Sequence, residues 1–157
     1  MGQYKAMDLT KSNFLISKEY RSIFAMYREA MVSTNVFYRF LSLYKITEGI
    51  KKLRSKILAG LPAQEKKGVF PLEQFPDGDI ATLVEDDLVE FFVPYKGEKY
   101  SNVINKFGSI YRNAIAHLNP SGDEVEVDKL EDIYACINAT HILKYIVREI
   151  IANTIQA

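Results

Sequence analysis

Residues 19–48, EYRSIFAMYREAMVSTNVFYRFLSLYKITE, decide the fold, because apolar side chains recur in them every three or four positions. That spacing places the apolar side chains on one face of an α-helix. Ser17 is a suitable N-cap for a first helix that runs to about residue 31. The polar run at residues 33–35 interrupts the pattern and caps a second helix over residues 36–59, which Gly60 ends. The apolar stripes consist of Tyr20, Ile23, Phe24, Tyr27 and Met31 in the first helix and Phe37, Phe40, Leu41, Tyr44, Ile50, Leu53 and Ile57 in the second.

Two more long helical patterns follow, separated from the first pair by a broken segment. Glycine and proline punctuate residues 60–100, so we expect loops there, with one short helix over residues 79–92. The next predicted helix covers residues 101–118. Its core side consists of Val103, Phe107, Ile110, Ala114 and Leu118. A capping box at residues 128–131 begins the last predicted helix, which runs to about residue 154.

These patterns predict an all-α protein, an antiparallel bundle of four to five helices. The length suits a single domain over residues 1–157, with residues 1–16 as a tail or lead-in, and the chain can also be one domain of a longer protein. No uninterrupted apolar run is long enough to cross a membrane, so we expect a cytoplasmic protein without membrane contacts. Cys136 is the only cysteine, which favours a reducing compartment, and we expect it to be a small buried residue.

The net charge of the chain is zero, from 20 basic and 20 acidic residues. A general nucleic-acid coat protein carries a basic excess, so the composition disfavours that class. A ribonuclease that binds only a few phosphates remains compatible with a neutral chain.

Residues 111–120, YRNAIAHLNP, gather three polar side chains at a predicted helix end. Asn113 and His117 project in nearly the same direction, and Arg112 lies about 140° from His117 around the helix. An imidazole titrates near neutral pH and can transfer protons, and a guanidinium can stabilise charge on a phosphate. Asn113 can orient the imidazole or donate to a phosphate oxygen. The same three residues are also compatible with an ordinary helix-end surface.

This arrangement of Arg112, Asn113 and His117 resembles the Arg-Asn-x-x-x-His signature of the HEPN superfamily, a group of small helical domains. Residues 19–48 also resemble the long first helices of the branch that includes MauJ-like and anti-phage bacterial proteins, and the likeness extends over most of residues 14–157. The resemblance implies a metal-independent endoribonuclease that uses the 2′-hydroxyl of RNA, with an active site shared across a homodimer and no cofactor. It also implies a role in toxin–antitoxin or anti-phage defence, with an antitoxin or a fused sensor domain as a further partner. The alternative is a non-catalytic HEPN module that dimerises or binds a ligand or partner.

Several residues outside the motif are secondary candidates. Candidate RNA contacts are Tyr100, Lys106 and Tyr111, together with the neighbouring Tyr95, Lys96 and Lys99, although ordinary amphipathic-helix positions are the better explanation for them. Glu48 is a weaker candidate for a carboxylate at the cleft. His141 is expected to be structural, and the acidic run at residues 85–87 to be a solvated face. The two histidines and one cysteine do not match a zinc signature, so no metal site is predicted.

Overall fold

Five α-helices form most of the part of the chain that the structure describes, residues 18–82, 84–112 and 130–155 of a computed structural model. They are α1 (Lys18–Val32), α2 (Val36–Ala59), α3 (Val89–Phe92), α4 (Tyr100–Phe107) and α5 (Leu130–Ile155). Those ranges contain no strand, only an isolated antiparallel bridge between Gln74 and Lys99. The predicted all-α class is confirmed.

Helices α1 and α2 begin and end close to where the apolar spacing predicts. Asn35 has an extended backbone, and its side chain accepts a hydrogen bond from the backbone N–H of Tyr38 at 2.9 Å, which makes it the N-cap of α2. Gly60 follows the last residue of α2 and donates to carbonyl groups of its final turn. The polar run between the helices therefore ends α1 and begins α2 within a few residues, and the predicted cap Ser17 lies outside the described residues.

Helix α2 is the centre of the bundle, with α1 and α5 packed against it. An ion pair of 3.3 Å between Lys56 at the end of α2 and Glu19 at the start of α1 shows that these two helices are antiparallel, as expected. Helix α5 runs in the same direction as α2, because Arg54 contacts Thr154 whereas Arg39, earlier on α2, faces His141, earlier on α5. The fully buried side chains between α2 and α5 include Phe40, Leu43, Ile46, Leu143, Ile146 and Val147.

Burying each aliphatic or aromatic side chain of this size stabilises the fold by about 1.5–3 kcal/mol, so the α2–α5 contact is the main hydrophobic core. The threonine hydroxyls buried within it are satisfied locally. Thr140 and Thr154 each donate a hydrogen bond of 2.6 Å to a carbonyl one turn earlier on α5, and Thr47 donates to the Tyr44 carbonyl.

The segment between α2 and α4 is irregular, as expected, but the predicted helix over residues 79–92 is broken. Short 3₁₀ turns at Ile80–Thr82 and Asp86–Leu88 precede the single-turn α3. Aspartate, threonine and valine are weak helix formers, and burial of apolar anchors in this segment outweighs continuous helix formation. The principal anchor is Phe75, whose buried ring contacts the rings of Phe92, Tyr95, Tyr100 and Tyr145.

Arg54 connects this segment to both central helices. Its two terminal nitrogens donate to the two carboxylate oxygens of Glu73 at 2.5 and 2.9 Å, and its Nε donates to the Thr154 hydroxyl at 2.9 Å. It also donates to the Ile150 carbonyl at 3.1 Å, and Asn153 donates to Glu73 at 2.9 Å. The two charged side chains are only 16% and 15% exposed, so this is a largely buried ion pair with most of its donors satisfied.

The helix predicted over residues 101–118 changes its geometry after Phe107, since Gly108–Arg112 is π-helical. The prediction that Ile110 faces the core is wrong, because Ile110 is 42% exposed. A π-turn closes its hydrogen bonds over five residues instead of four, so the core-facing position after Phe107 shifts to Tyr111. Ala114 and Leu118, predicted on the same side, lie outside the described residues.

Replacing Gly108 by alanine should destabilise the fold. A Cβ at Gly108 would overlap the Tyr44 hydroxyl and lie 2.9 Å from its ring carbon Cζ, so either the Tyr44 side chain or the backbone at Gly108 would have to shift. Overpacking of this kind costs about 1–3 kcal/mol, which exceeds the roughly 0.5–1 kcal/mol gained from alanine in a helix. Thermal unfolding of Gly108→Ala should show a lower melting temperature than Gly78→Ala, where a Cβ meets no atom within 4 Å.

The double variant Gly108→Ala with Tyr44→Phe identifies the cause, because it removes the oxygen that lies closest to the new methyl group. Part of the lost melting temperature should return relative to Tyr44→Phe alone. An equal loss in both backgrounds would show that the hydroxyl contact is not responsible.

Candidate functional site

The described chain before residue 113 is fixed against the N-terminal part of α2. The Tyr111 ring packs edge-on against the rings of Phe40 and Phe107, with centroid separations of 5.6 and 6.0 Å. Arg112 ends the π-helical turn, and its side chain is not among those described, while Asn113 and His117 lie outside the described residues. Their mutual geometry, and with it the catalytic assignment of all three, stays a prediction.

The predicted RNA-contact residues differ in their surroundings. Tyr100 is only 6% exposed, its ring lies 5.0 Å from that of Phe75, and burial raises the pKa of its hydroxyl. Its ring face is therefore covered in this structure and cannot stack on a base. Lys106 is exposed, and its Nζ lies 5.9 Å from the centroid of the half-buried Tyr95 ring.

The remaining sequence candidates are either exposed or buried in the core. Glu48 is exposed and projects about 180° around α2 from Arg39, away from α5. The acidic run at residues 85–87 is exposed, as expected. Cys136 is completely buried, which confirms the prediction made for it. No group of side chains able to hold a metal ion occurs among the described residues, and no helix within the same ranges is long and apolar enough to span a membrane.

Four basic side chains on α2 and α5 lie near enough to influence one another's charge, and we call them the basic cluster: Arg39, His141, Lys144 and Arg148. The three on α5 follow one another at spacings of three and four residues, so they form one stripe along the helix. Arg39 projects from the α5-facing side of α2, in register with the buried Leu43 of the next turn. All four side chains are partly buried.

Arg39 is the unusual member of the basic cluster. Its Nε is buried, and no described residue accepts a hydrogen bond from it. A buried donor without an acceptor destabilises a fold by about 1–3 kcal/mol. Arg54, on the same face of the same helix, has acceptors for its Nε and for both terminal nitrogens. Hydrogen bonds within the described part of the chain therefore explain why an arginine is buried at position 54, but they do not explain why one is buried at position 39.

The pKa of Lys144 is held below its usual range. Burial has the largest effect, and the positive charges of Arg148 and Arg39 lower the pKa further, while Glu85 acts in the opposite direction. Its ammonium group thus lies in a local field with excess positive charge, which a bound anion would neutralise.

The pKa of His141 is also lowered. Burial is again the largest cause, followed by the charges of Lys144 and Arg39, and Asp87 and Glu85 partly compensate. The sequence indicated an isolated structural histidine, whereas in the structure His141 lies beside two other cations. The neutral imidazole is favoured in the absence of an anion.

The basic cluster was missed from the sequence because Arg39 precedes the other three members by about 100 residues and none of the four belongs to a known motif. One signal was available, since Arg39 occupies a position that the apolar spacing of α2 assigns to the core. Chemically, a guanidinium, an ammonium and an imidazole that face one another can bind a phosphate or another compact anion.

Comparison with known proteins identifies the family of this chain. The model of the family described as methylamine utilization protein MauJ matches residues 23–152. The chain belongs to the MauJ family. The matched range includes the basic cluster and the Arg-Asn-x-x-x-His segment, and it confirms the MauJ-like part of the resemblance drawn from the sequence. No curated protein and no solved structure matches this MauJ-family chain.

Replacing Arg39 by methionine should leave the stability of this MauJ-family protein unchanged or raise it. The change removes a buried donor that has no acceptor among the described residues and relieves repulsion with Lys144, for a gain of up to about 1–3 kcal/mol. The matched control Arg54→Met should destabilise by about 3–5 kcal/mol, because it leaves Glu73 buried without its partner. Urea unfolding of the two variants measures both effects.

An Arg39→Met variant that loses as much stability as Arg54→Met would assign Arg39 to the structure of the bundle and remove the case for a binding role.

The lowered pKa of His141 predicts a pH dependence of folding. In the unfolded chain a histidine titrates at about pH 6.5, and in the folded chain His141 binds its proton less readily. Its contribution to stability is therefore complete above about pH 6.5 and is lost as the pH falls towards the lower folded-state pKa. Urea-unfolding midpoints measured on both sides of this pH should differ less in His141→Gln than in the wild type. Identical differences would show that His141 does not contribute.

Proposed function

We propose that the protein is a metal-independent endoribonuclease of the HEPN type. The observation that carries the proposal is the position of the described start of the motif, since Tyr111 packs on Phe40, which directly follows Arg39 of the basic cluster in α2. The segment with the pattern of a ribonuclease motif therefore begins at the same level along α2 as a group of basic residues suited to an RNA backbone. Membership of the MauJ family and the resemblance of that family to HEPN domains support the same assignment.

The proposed reaction is transfer of the phosphodiester to the adjacent 2′-oxygen. The 2′-oxygen bonds to phosphorus, the bond from phosphorus to the 5′-oxygen breaks, and a 2′,3′-cyclic phosphate and a 5′-hydroxyl result. The 2′-hydroxyl proton passes to a base, and the leaving 5′-oxygen takes a proton from an acid. His117 acts in proton transfer, Arg112 stabilises the charge that develops on the phosphate oxygens, and Asn113 positions one of them.

One protomer supplies a single motif imidazole, yet the reaction both removes and delivers a proton. A two-fold homodimer that brings two copies of the motif together would supply both groups, and this is the arrangement that we propose. Following the resemblance, we also propose a cytoplasmic protein in toxin–antitoxin or anti-phage defence, restrained by an antitoxin or a fused sensor domain.

A second candidate is a HEPN module that binds an anionic ligand or a partner and does not cleave RNA. Two observations favour this alternative. The net charge of zero gives the chain no overall attraction for a long RNA, and the covered ring of Tyr100 cannot stack on an RNA base.

Replacing His117 or Arg112 by alanine should abolish most RNA cleavage. General acid–base catalysis contributes about 10²–10⁴-fold, and a charge-stabilising donor contributes a similar factor, so each variant should lose at least about two orders of magnitude in rate. Cleavage of mixed RNA by the wild type should continue in EDTA, whereas DNA, which lacks the 2′-hydroxyl, should remain intact. The exposed Arg28 on α1 offers a matched control, and Arg28→Ala should cleave like the wild type.

Wild type and His117→Ala, refolded together to form mixed dimers, test the shared site. Because a mixed dimer holds only one motif imidazole, cleavage should fall as the square of the wild-type fraction. A fall in direct proportion to that fraction would show that each protomer has its own site. Equal cleavage by the wild type and by His117→Ala would rule out the catalytic role, and an inactive wild type that still binds an anion would favour the second candidate.

A further inference from the structure

We infer that the basic cluster is a phosphate-binding subsite that holds a backbone phosphate of single-stranded RNA beside the cleavage motif. The phosphate chemistry follows from the cluster itself, whereas RNA as its source rests on the proposed function.

The cluster is preorganised for binding, because its members come from two helices that are packed against each other. Arg39 projects from α2, and the His141–Lys144–Arg148 stripe projects from α5. Between these helices lie fully buried side chains such as Leu43 and Leu143. Cations held in this way do not have to be gathered when a ligand binds, so little ordering entropy opposes binding.

Arg39 supplies the hydrogen-bonding specificity. Its buried Nε lacks an acceptor in the described part of the chain, and a phosphate oxygen is a strong acceptor that fits the planar fork of a guanidinium. Lys144 contributes a compact charge next to it. An anion bound between them supplies Arg39 with an acceptor and reduces the repulsion among the positive charges, so binding relieves two unfavourable features of the cluster.

The charges that surround the cluster favour a displaceable partner. Glu85 and Asp87 lie near enough to influence His141, but both are exposed on the segment before α3. Exposed carboxylates are weak counter-ions, since water and salt screen them. A phosphate that enters between the helices can therefore compete with them.

The position of the cluster identifies which phosphate it would hold. Arg39 precedes Phe40, and Tyr111, whose ring packs on Phe40, precedes Arg112. Both pairs are chain neighbours, so Arg39 and the described start of the motif lie at the same level along α2, although Arg39 and Phe40 project about 100° apart around the helix. We therefore assign the cluster to a phosphate that flanks the scissile one, which would fix the register of the strand before chemistry.

The test is the binding of a fluorescent 2′-O-methyl oligoribonucleotide, measured by anisotropy over a range of salt concentrations. This probe keeps its phosphates but cannot be cleaved, so binding is separated from catalysis. Arg39→Met and Lys144→Gln should each weaken binding by about tenfold or more, as expected for a lost charge-assisted hydrogen bond. Each should also reduce the slope of log affinity against log salt by about 0.7, the value for one phosphate contact on a single strand.

Lys52→Gln is the matched control, because it removes the same charge from an exposed position in the groove between α1 and α2. It should bind like the wild type. Unchanged binding in both cluster variants, or an equal loss in Lys52→Gln, would overturn the subsite. Stronger competition by ATP than by an unlabelled oligonucleotide would overturn RNA as the source of the phosphate.

The outcome is separable from that of the proposed function. If the wild type cleaves no RNA but the cluster variants lose affinity, the nuclease assignment fails and the phosphate site remains. If cleavage depends on His117 while Arg39→Met and Lys144→Gln bind and cleave normally, the phosphate site fails and the nuclease remains.

Discussion

The ion pair between Arg54 and Glu73 is the contact on which the arrangement of the described helices depends. It joins the C-terminal part of α2, the irregular segment and the far end of α5, and the guanidinium also lies 4.5 Å from the centroid of the Phe70 ring. Residues between α2 and α4 form almost no regular structure of their own, so their position must come from such contacts. Together with Phe75, the pair keeps this segment against the bundle and leaves α5 parallel to α2.

Arg39 and Arg54 show two uses of one residue type on the same helix face. A buried arginine with its acceptors in place contributes to a unique fold, whereas a buried donor without an acceptor among the described residues lowers stability. Sites that violate a folding rule in this way are where function is expected, because binding groups must be left unsatisfied by the protein itself. This contrast, rather than the number of positive charges, distinguishes the basic cluster from the lysines elsewhere on α2.

The sequence predicted the features that depend on local spacing. Helices α1 and α2 follow from the recurrence of apolar residues, and the cap at Asn35 follows from a short polar run. The π-turn was missed, and Ile110 was misplaced with it, because a change in hydrogen-bond spacing leaves no clear mark in a pattern of apolar residues. The basic cluster was missed for another reason, since Arg39 and His141 become neighbours only through the parallel packing of α2 and α5. The motif at residues 112–117 could be recognised only from its resemblance.

The burial of Cys136 has a practical consequence. Its sulfur is buried in the hydrophobic core at a position on α5 little more than one helical turn before His141. Burial raises the pKa of the thiol to about 11, although a hydrogen bond with the Thr140 side chain acts to lower it. A thiol reagent reacts with the exposed thiolate, so at neutral pH it can modify this residue only when α5 separates locally from its neighbours. Because the sequence contains no other cysteine, the thiol-labelling rate of the unaltered protein reports how often this helix opens. A ligand that binds to both α2 and α5 would lower that labelling rate.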